Sequence, residues 1–315
     1  MSTSALPRPA PATDAGAGNT GPARRRGRGG HKGLLFATPF VIGFLAVYVL
    51  PVAYAVWQSL FQTKRSGLGF GPTRTVYAGA ANFTKAFGDG SFWHGLLRVG
   101  LFGAVQIPVM LALALLMALL LDSPAVRAVR LFRVGFLVPY VIPAVVGTLI
   151  WLFLYSPTAT PLTKVFSSFD FTGAGDAYWT IGNLLIWQGI GLNMILIYAA
   201  LQAIPGELYE AARLDGASET RIALSVKIPN LRGILVLTGM FSLIGRLQLF
   251  AEPLMLHQVG PRAIGDDFAP MQLIYRVVFL QNDYNYGAAL SLLLAVVTGI
   301  LAFVFYRVTN RKTAL

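Results

Sequence analysis

Apolar residues run along this chain in long blocks rather than at alternating or one-face spacing. Six blocks stand out: Leu34–Leu60, Val99–Leu121, Val134–Leu154, Ile181–Leu201, Gly233–Phe250 and Tyr286–Phe305. Each approaches the roughly 20 residues that a helix needs to cross a hydrocarbon core about 30 Å thick. A surface helix of a water-soluble protein shows one apolar stripe and one polar face, whereas these blocks are apolar all round. Inside lipid the backbone has no water to bond, so a helix, which satisfies its own N–H and C=O groups, is the state such blocks adopt. The pattern predicts an all-α membrane protein with six transmembrane helices.

Composition agrees. The chain is 55% hydrophobic and 12% charged over 315 residues, against about 25% charged in an ordinary soluble domain. Its 25 Lys and Arg residues are unevenly placed. Sixteen fall in the N-terminal tail, after the second block, after the fourth block and in the C-terminal tail, and only seven in the segments between. Positive residues collect on the cytoplasmic side, which puts both termini in the cytoplasm of a multi-pass cell-membrane protein. The net charge of +12 is therefore mostly a topology signal. Contact of Arg24, Arg25 and Arg26 with anionic headgroups explains that cluster better than nucleic-acid binding. Residues 1–33 are rich in Pro, Ala, Gly, Ser and Thr with no apolar period, so they are expected to form a disordered basic tail. Twin arginines before an apolar run also resemble an export signal. The first block is too long for a signal core and five more follow, favouring a retained helix. The expected organisation is a tail over 1–33, a transmembrane domain over 34–309 and a short cytoplasmic tail over 310–315.

Several chemistries are excluded. With no cysteine, there are no disulfides, thiolate metal sites or Cys nucleophiles. His31, His94 and His257 are scattered without metal-ligand spacing. Gly16-Ala17-Gly18-Asn19-Thr20-Gly21 matches a dinucleotide fingerprint by letter, but it lies in the tail, without the strand and helix that the fingerprint requires. No phosphate-cradling Gly-x-x-x-x-Gly-Lys-Ser/Thr loop occurs. The chain binds no cofactor of its own on this reading and is not an enzyme; if ATP drives it, another subunit binds the nucleotide.

Between the fourth and fifth blocks lies a charged, helix-favouring insert. Ile204-Pro205-Gly206 breaks the chain, Glu207–Leu214 favours helix, and Gly216 allows a sharp redirection through positive φ. A second short helical piece, Glu219–Lys227, ends at Pro229. Glu210 and Arg213 sit three apart on one turn, and Leu208, Ala211 and Ala212 are placed to pack inward. Two short helices joined at a glycine make a knob that fits a groove on a partner.

The run Glu210-Ala211-Ala212-Arg213-Leu214-Asp215-Gly216-Ala217, closing at Ile228-Pro229, resembles the cytoplasmic docking loop (205–231 here) of ATP-binding-cassette (ABC) importer permeases. The resemblance extends over residues 34–309. Pro39 and Pro51, Tyr77-x-Gly79-x-x-Asn82-Phe83, Pro139-Tyr140-Val141-Ile142-Pro143 with Trp151, and Leu201-Gln202-Ala203-Ile204-Pro205 are similar to the sugar-type permeases of that family. So are Tyr275-x-x-x-Phe279 and Gly287-x-Ala289. The resemblance implies the type I importer permease fold and a pore formed with a second six-helix permease, usually as a heterodimer. It implies two ATPase subunits using ATP and Mg, and an extracytoplasmic solute-binding protein that delivers substrate. One departure is visible. Leu254-Met255-Leu256-His257-Gln258-Val259-Gly260-Pro261 stands where the family often has a Thr-Gly-Gly-Gly-Pro turn.

Polar groups inside spans mark cavities more often than lipid faces. Candidate pore residues are Asn183, Trp187, Gln188 and Asn193 in the fourth block, and Arg246, Gln248 and Glu252 in or after the fifth. For each Asn or Gln an interhelical hydrogen bond is an equal alternative. Six residues separate Arg246 from Glu252, a poor spacing for a direct pair, and Arg98 is expected to snorkel. By resemblance the solute is a di- or oligosaccharide; glycerol 3-phosphate or another organic solute is the alternative. A secondary transporter of another class would leave the docking loop unexplained and should show a repeat.

Overall fold

In a computed structural model of the chain, residues 30–65, 73–123, 125–156, 173, 176–259 and 264–310 are described. The expected disorder of the tail, the fingerprint match within it, and Gly260 and Pro261 of the departing loop lie outside these residues. The chain divides between Val52 and Ala53. The first unit consists of helix α1 (Gly30–Phe44), a wide turn at Leu45–Val49 and the first residues of α2 (Leu50–Ser59). Its side chains from Leu35 to Val52 are exposed except Thr38. An apolar surface of that kind belongs against lipid or protein rather than water.

The second unit opens with a feature the block pattern does not show. Strands β1 (Phe61–Arg65) and β2 (Thr73–Tyr77) pair antiparallel, Phe61 opposite Tyr77. Asn82, at the start of helix α3 (Ala81–Phe87), is buried and pins this hairpin. Its Nδ2 donates to the carbonyls of Ser59 and Phe61 at 2.8 and 2.7 Å, and its Oδ1 accepts from Gln62. Gly79 has φ +54°, a region that suits glycine. The Tyr77-x-Gly79-x-x-Asn82 pattern is thus a turn-and-pin device, and the fold is mostly rather than wholly helical.

Helix α4 (Gly90–Leu121) is capped by Asp89, whose Oδ1 accepts from the N–H groups of Ser91 and Phe92. The third block does not make one straight helix. Helices α5 (Val129–Val141) and α6 (Ala144–Tyr155) meet at 98°. Pro143 lacks an N–H and pushes Ile142 into extended backbone, φ −70° and ψ 127°, as a proline does to the residue before it. Helix α7 (Ala177–Gln202) follows, then the short helices α8 (Gly206–Leu214), α9 (Glu219–Ile222) and α10 (Ile228–Asn230). Helix α11 (Arg232–Leu247) leaves the preceding segment at 63°. Helices α12 (Ala251–Val259), α13 (Pro270–Tyr275) and α14 (Tyr284–Asn310) complete the chain. Among the described residues, four helices are long and apolar enough to cross a membrane, or up to six if each bent pair is one span.

Among the described residues, three buried clusters hold the second unit together. Phe92, Leu273, Tyr286 and Leu290 join α4, α13 and α14. Val99, Ile181, Leu249, Leu256 and Phe268 join α4, α7 and the α12 region. Ala114, Ala118, Leu121, Met194, Ile197, Leu201 and Leu231 join α4 and α7 to the root of α11. Helices α5 and α7 approach so closely that a Cβ on Gly191 would fall 1.8 Å from the Phe136 carbonyl oxygen; only glycine fits. Arg98 does not snorkel: its guanidinium donates to the carbonyls of Asp267 and Phe268 at 3.3 and 3.1 Å, tying α4 to the turn before α13.

Candidate functional site

Two regions bring the sequence candidates together. The first is a cavity of about 440 Å³ lined by α4, the α5–α6 break, α7, α11 and α12. Gln188, Asn193, Arg246 and Glu252 all reach its wall, joined by Met110, Tyr140, Thr238 and Ser242. Trp187 and Gln248 are not on that wall; the Trp187 ring meets Trp151 edge-on at 5.8 Å. Asn183 also stands apart, donating to the Tyr155 hydroxyl at 2.7 Å, which is the interhelical bond held open as its alternative. A larger depression, about 720 Å³, is almost wholly apolar, with walls such as Leu97, Leu243 and Phe305; it offers little to a polar solute.

Arg246 gives the cavity its character. Its Nε donates to Gln106 Oε1 at 2.8 Å, and Nη2 lies 3.7 Å from Met110 Sδ. None of the four ion pairs among the described residues includes it. The absent pairing with Glu252 fits the unfavourable six-residue spacing. Asn193 donates to the Gly189 carbonyl at 2.8 Å and is itself buried. Gln106 Nε2 and Gln188 Nε2 are buried without a partner. A cation, a carboxylate and two amides, of which Gln188 keeps an unpartnered Nε2, stand around one opening and form a set of donors and acceptors suited to a hydroxyl-rich molecule. Gln106 was not among the sequence candidates. Its signal was a lone amide in an apolar block, as for Gln188.

The second region is the helix–turn–helix knob at residues 205–231. Helix α8 ends in a Schellman motif: Gly216 N–H bonds to the Arg213 carbonyl and Ala217 N–H to the Ala212 carbonyl, both at 3.0 Å. Gly216 has φ +76° with nothing near the place a Cβ would occupy. It is needed for its backbone, not for space. Ser218 then caps α9, accepting from Arg221 N–H at 3.3 Å. Arg213 pairs not with Glu210 one turn away but across the glycine with Glu219, Nη2 to Oε1 at 3.0 Å. Leu208 and Ala211 are exposed and Ala212 half-buried; the residue of α8 that reaches inward is Tyr209, whose hydroxyl is buried without a partner. Burial and the Asp122 carboxylate raise the Tyr209 pKa above its ordinary value. Glu210, Asp215 and Gly216 lie on the exposed face of the knob, with Ala217, Ile228 and Pro229 half-buried behind it. A wide turn at Ala223–Lys227 carries the chain back to the bundle. There Lys227 Nζ meets Asp122 Oδ2 at 2.6 Å, a contact the sequence did not announce.

Residues 110–314 match the family described as binding-protein-dependent transport system inner membrane component. The diacetylchitobiose uptake system permease protein NgcF of Streptomyces coelicolor is 30% identical over 315 residues, covering 93% of this chain and 88% of that one. The lactose transport system permease protein LacF of Rhizobium radiobacter is 28% identical over 290 residues, covering 89% and 95%. Among solved structures, a chain of a bacterial ABC transporter involved in the import of the acidic polysaccharide alginate superposes with a TM-score of 0.72. That match covers 89% of this chain and 96% of the other at 19% identity, a likeness of fold. With the family match spanning most of the helical unit and the knob placed within it, the chain belongs to the binding-protein-dependent transport system inner membrane component family.

Proposed function

We propose that this chain forms half of the translocation pore of an ABC importer for a di- or oligosaccharide. The reading rests above all on its similarity along nearly its whole length to permeases named for diacetylchitobiose and lactose. In this reading each bent pair counts as one span, giving six, and the Lys and Arg bias places both termini and the knob in the cytoplasm. The tail over 1–33 precedes a permease domain over 34–309, with 310–315 as a second tail. A second six-helix permease completes the pore, two ATPase subunits bind ATP and Mg below it, and an extracytoplasmic solute-binding protein delivers the sugar.

The knob is the ATPase-docking element. Glu210, Ala211, Asp215 and Gly216 present its contact surface, Ala212 and Ala217 back that surface, and Ile228 and Pro229 set the angle at which it returns to the membrane. Gln188, Asn193, Arg246 and Glu252 line the solute path; Trp187 and Gln248 act from outside the cavity. ATP binding by the partner ATPases supplies the free energy, and the permease rocks between inward- and outward-open states. A ligand shifts such an equilibrium only by its differential affinity for the two states, so the knob must transmit motion without melting. The Schellman turn and the Ser218 cap supply that stiffness.

A second reading keeps the importer and changes the solute. Arg246, lining the cavity without an ion-pair partner, would suit glycerol 3-phosphate or another organic anion. Uptake of labelled disaccharides, oligosaccharides, monosaccharides and glycerol 3-phosphate, compared with and without the gene in its native host, separates the two. Loss of oligosaccharide uptake alone supports the first reading. Loss of organophosphate uptake alone supports the second, and no loss in any arm overturns both.

A further inference from the structure

We propose that Asp122 is the positioning residue that makes the knob and the two cavity-lining helices α4 and α7 move as one body. The inference rests on the docking reading of the knob but concerns a residue outside it, in the turn after α4. Asp122 occupies the C-cap of α4, its N–H bonded to the Ala118 carbonyl at 3.0 Å. A carboxylate there faces the negative end of the helix dipole, so by itself the position is unfavourable. It holds because each oxygen is taken by a different element. Oδ1 accepts from Gln202 Nε2, on the last residue of α7, at 2.7 Å. Oδ2 meets Lys227 Nζ, at the end of the wide turn, at 2.6 Å. Three segments separated by 80 and 105 residues thus share one carboxylate.

The knob is tied to the same point twice, because Lys227 Nζ also lies 5.3 Å from the centroid of the Tyr209 ring. Beneath the pair, Leu121, Leu201 and Leu231 are buried together, one from the end of α4, one from the end of α7 and one from the root of α11. A displacement of the knob therefore cannot slide past these ends without breaking the ion pair or opening the apolar plug. Helices α4 and α7 are the most extensively packed pair among the described residues. They carry Met110 on one side of the cavity and Gln188 and Asn193 on the other, and Gln106 of α4 holds the cavity-lining Arg246. The other ion pair of the knob, Arg213–Glu219, is half-exposed and internal to it, so it stiffens the knob without linking it to anything.

Two readouts test this. In the assembled importer in proteoliposomes, Asp122→Asn and Lys227→Met should keep the ATPase bound while solute moved per ATP hydrolysed falls by about tenfold, the size of a typical coupling between sites. The exchanged pair, Asp122→Lys with Lys227→Asp, should restore most of that ratio, since the Gln202 amide can turn its oxygen to the new ammonium. Separately, amide exchange on the full chain in detergent should speed up over residues 206–227 in both single variants and return toward wild type in the exchanged pair. If the ATPase stays bound and both the transport ratio and amide exchange are unchanged in Asp122→Asn, or if both singles are impaired and the exchanged pair restores neither readout, the proposal is overturned. Failure of the wild-type chain to bind any ATPase would instead overturn the docking reading, and amide exchange would still report on Asp122.

Discussion

The ammonium of Lys227 lies 2.6 Å from Oδ2 of Asp122, and each side chain keeps 12% of its surface exposed. Arg213 and Glu219, at 3.0 Å, keep 52% and 61%. Similar distances conceal different energetics. Removing one partner of a shielded pair strands a charge away from water and costs about 3 kcal/mol or more. An exposed pair is screened and contributes about 0–1 kcal/mol. Lys227→Met should therefore lower the thermal midpoint in detergent clearly, and Arg213→Met hardly at all. Equal shifts would show that solvent reaches Asp122 freely.

Gly191 offers a test of the α5–α7 contact. An added methyl has nowhere to go but into the Phe136 carbonyl. Overpacking of this kind costs about 1–3 kcal/mol and shifts backbone. Gly191→Ala should reduce thermal stability by that order, while Gly233→Ala, where nothing lies within 4 Å, should leave it unchanged. Differential scanning fluorimetry of the two variants side by side decides the matter.

Arg246→Lys keeps the charge but replaces the fixed guanidinium fork that reaches Gln106 Oε1. Lysine does not reproduce that geometry. Uptake should fall by about tenfold, the worth of one charge-assisted hydrogen bond of about 1.5 kcal/mol, with expression and assembly intact. Full uptake in Arg246→Lys would mean that the residue is only a local electrostatic fill.

Tyr209 gives a pH signature. Its pKa is raised in the folded chain by burial first and by Asp122 second, so the folded state holds the phenol proton more tightly than the unfolded state. The contribution is fully present below the unfolded value near 10.0 and is lost as pH rises through the folded value. Wild type should thus lose stability above about pH 10 more steeply than Tyr209→Phe. Parallel alkaline profiles would remove this account of the buried hydroxyl.

The block pattern was sufficient for the helices because length and uniform apolarity leave a membrane helix as the one self-satisfied state. It did not reveal the 98° break at Ile142-Pro143, although Pro139 and Pro143 were in plain view, since hydropathy is blind to direction. Nor did it reveal the hairpin at Phe61–Tyr77, whose five-residue strands carry no strong alternation. In the knob, the turn at Gly216 was legible because glycine adopts that positive-φ backbone most readily. The partner of Arg213 was not: nearest-turn spacing pointed to Glu210, and the redirected chain brought Glu219 closer. Asp122 could not be read at all. Its meaning depends on Gln202 and Lys227 arriving from distant segments, a juxtaposition that exists only after folding.

The proposed function turns on docking of an ATPase by the Glu210–Gly216 knob. The most direct test is affinity purification of the tagged chain in mild detergent, wild type beside Gly216→Pro and Gly216→Asn, with the co-purifying chains identified. Proline removes the N–H that bonds Arg213 and forbids φ +76°, whereas asparagine tolerates positive φ. Docking on the knob requires a second six-span permease with all three, and an ATPase with wild type and Gly216→Asn but not with Gly216→Pro. A chain that purifies alone, or that keeps its ATPase with proline at 216, would contradict it.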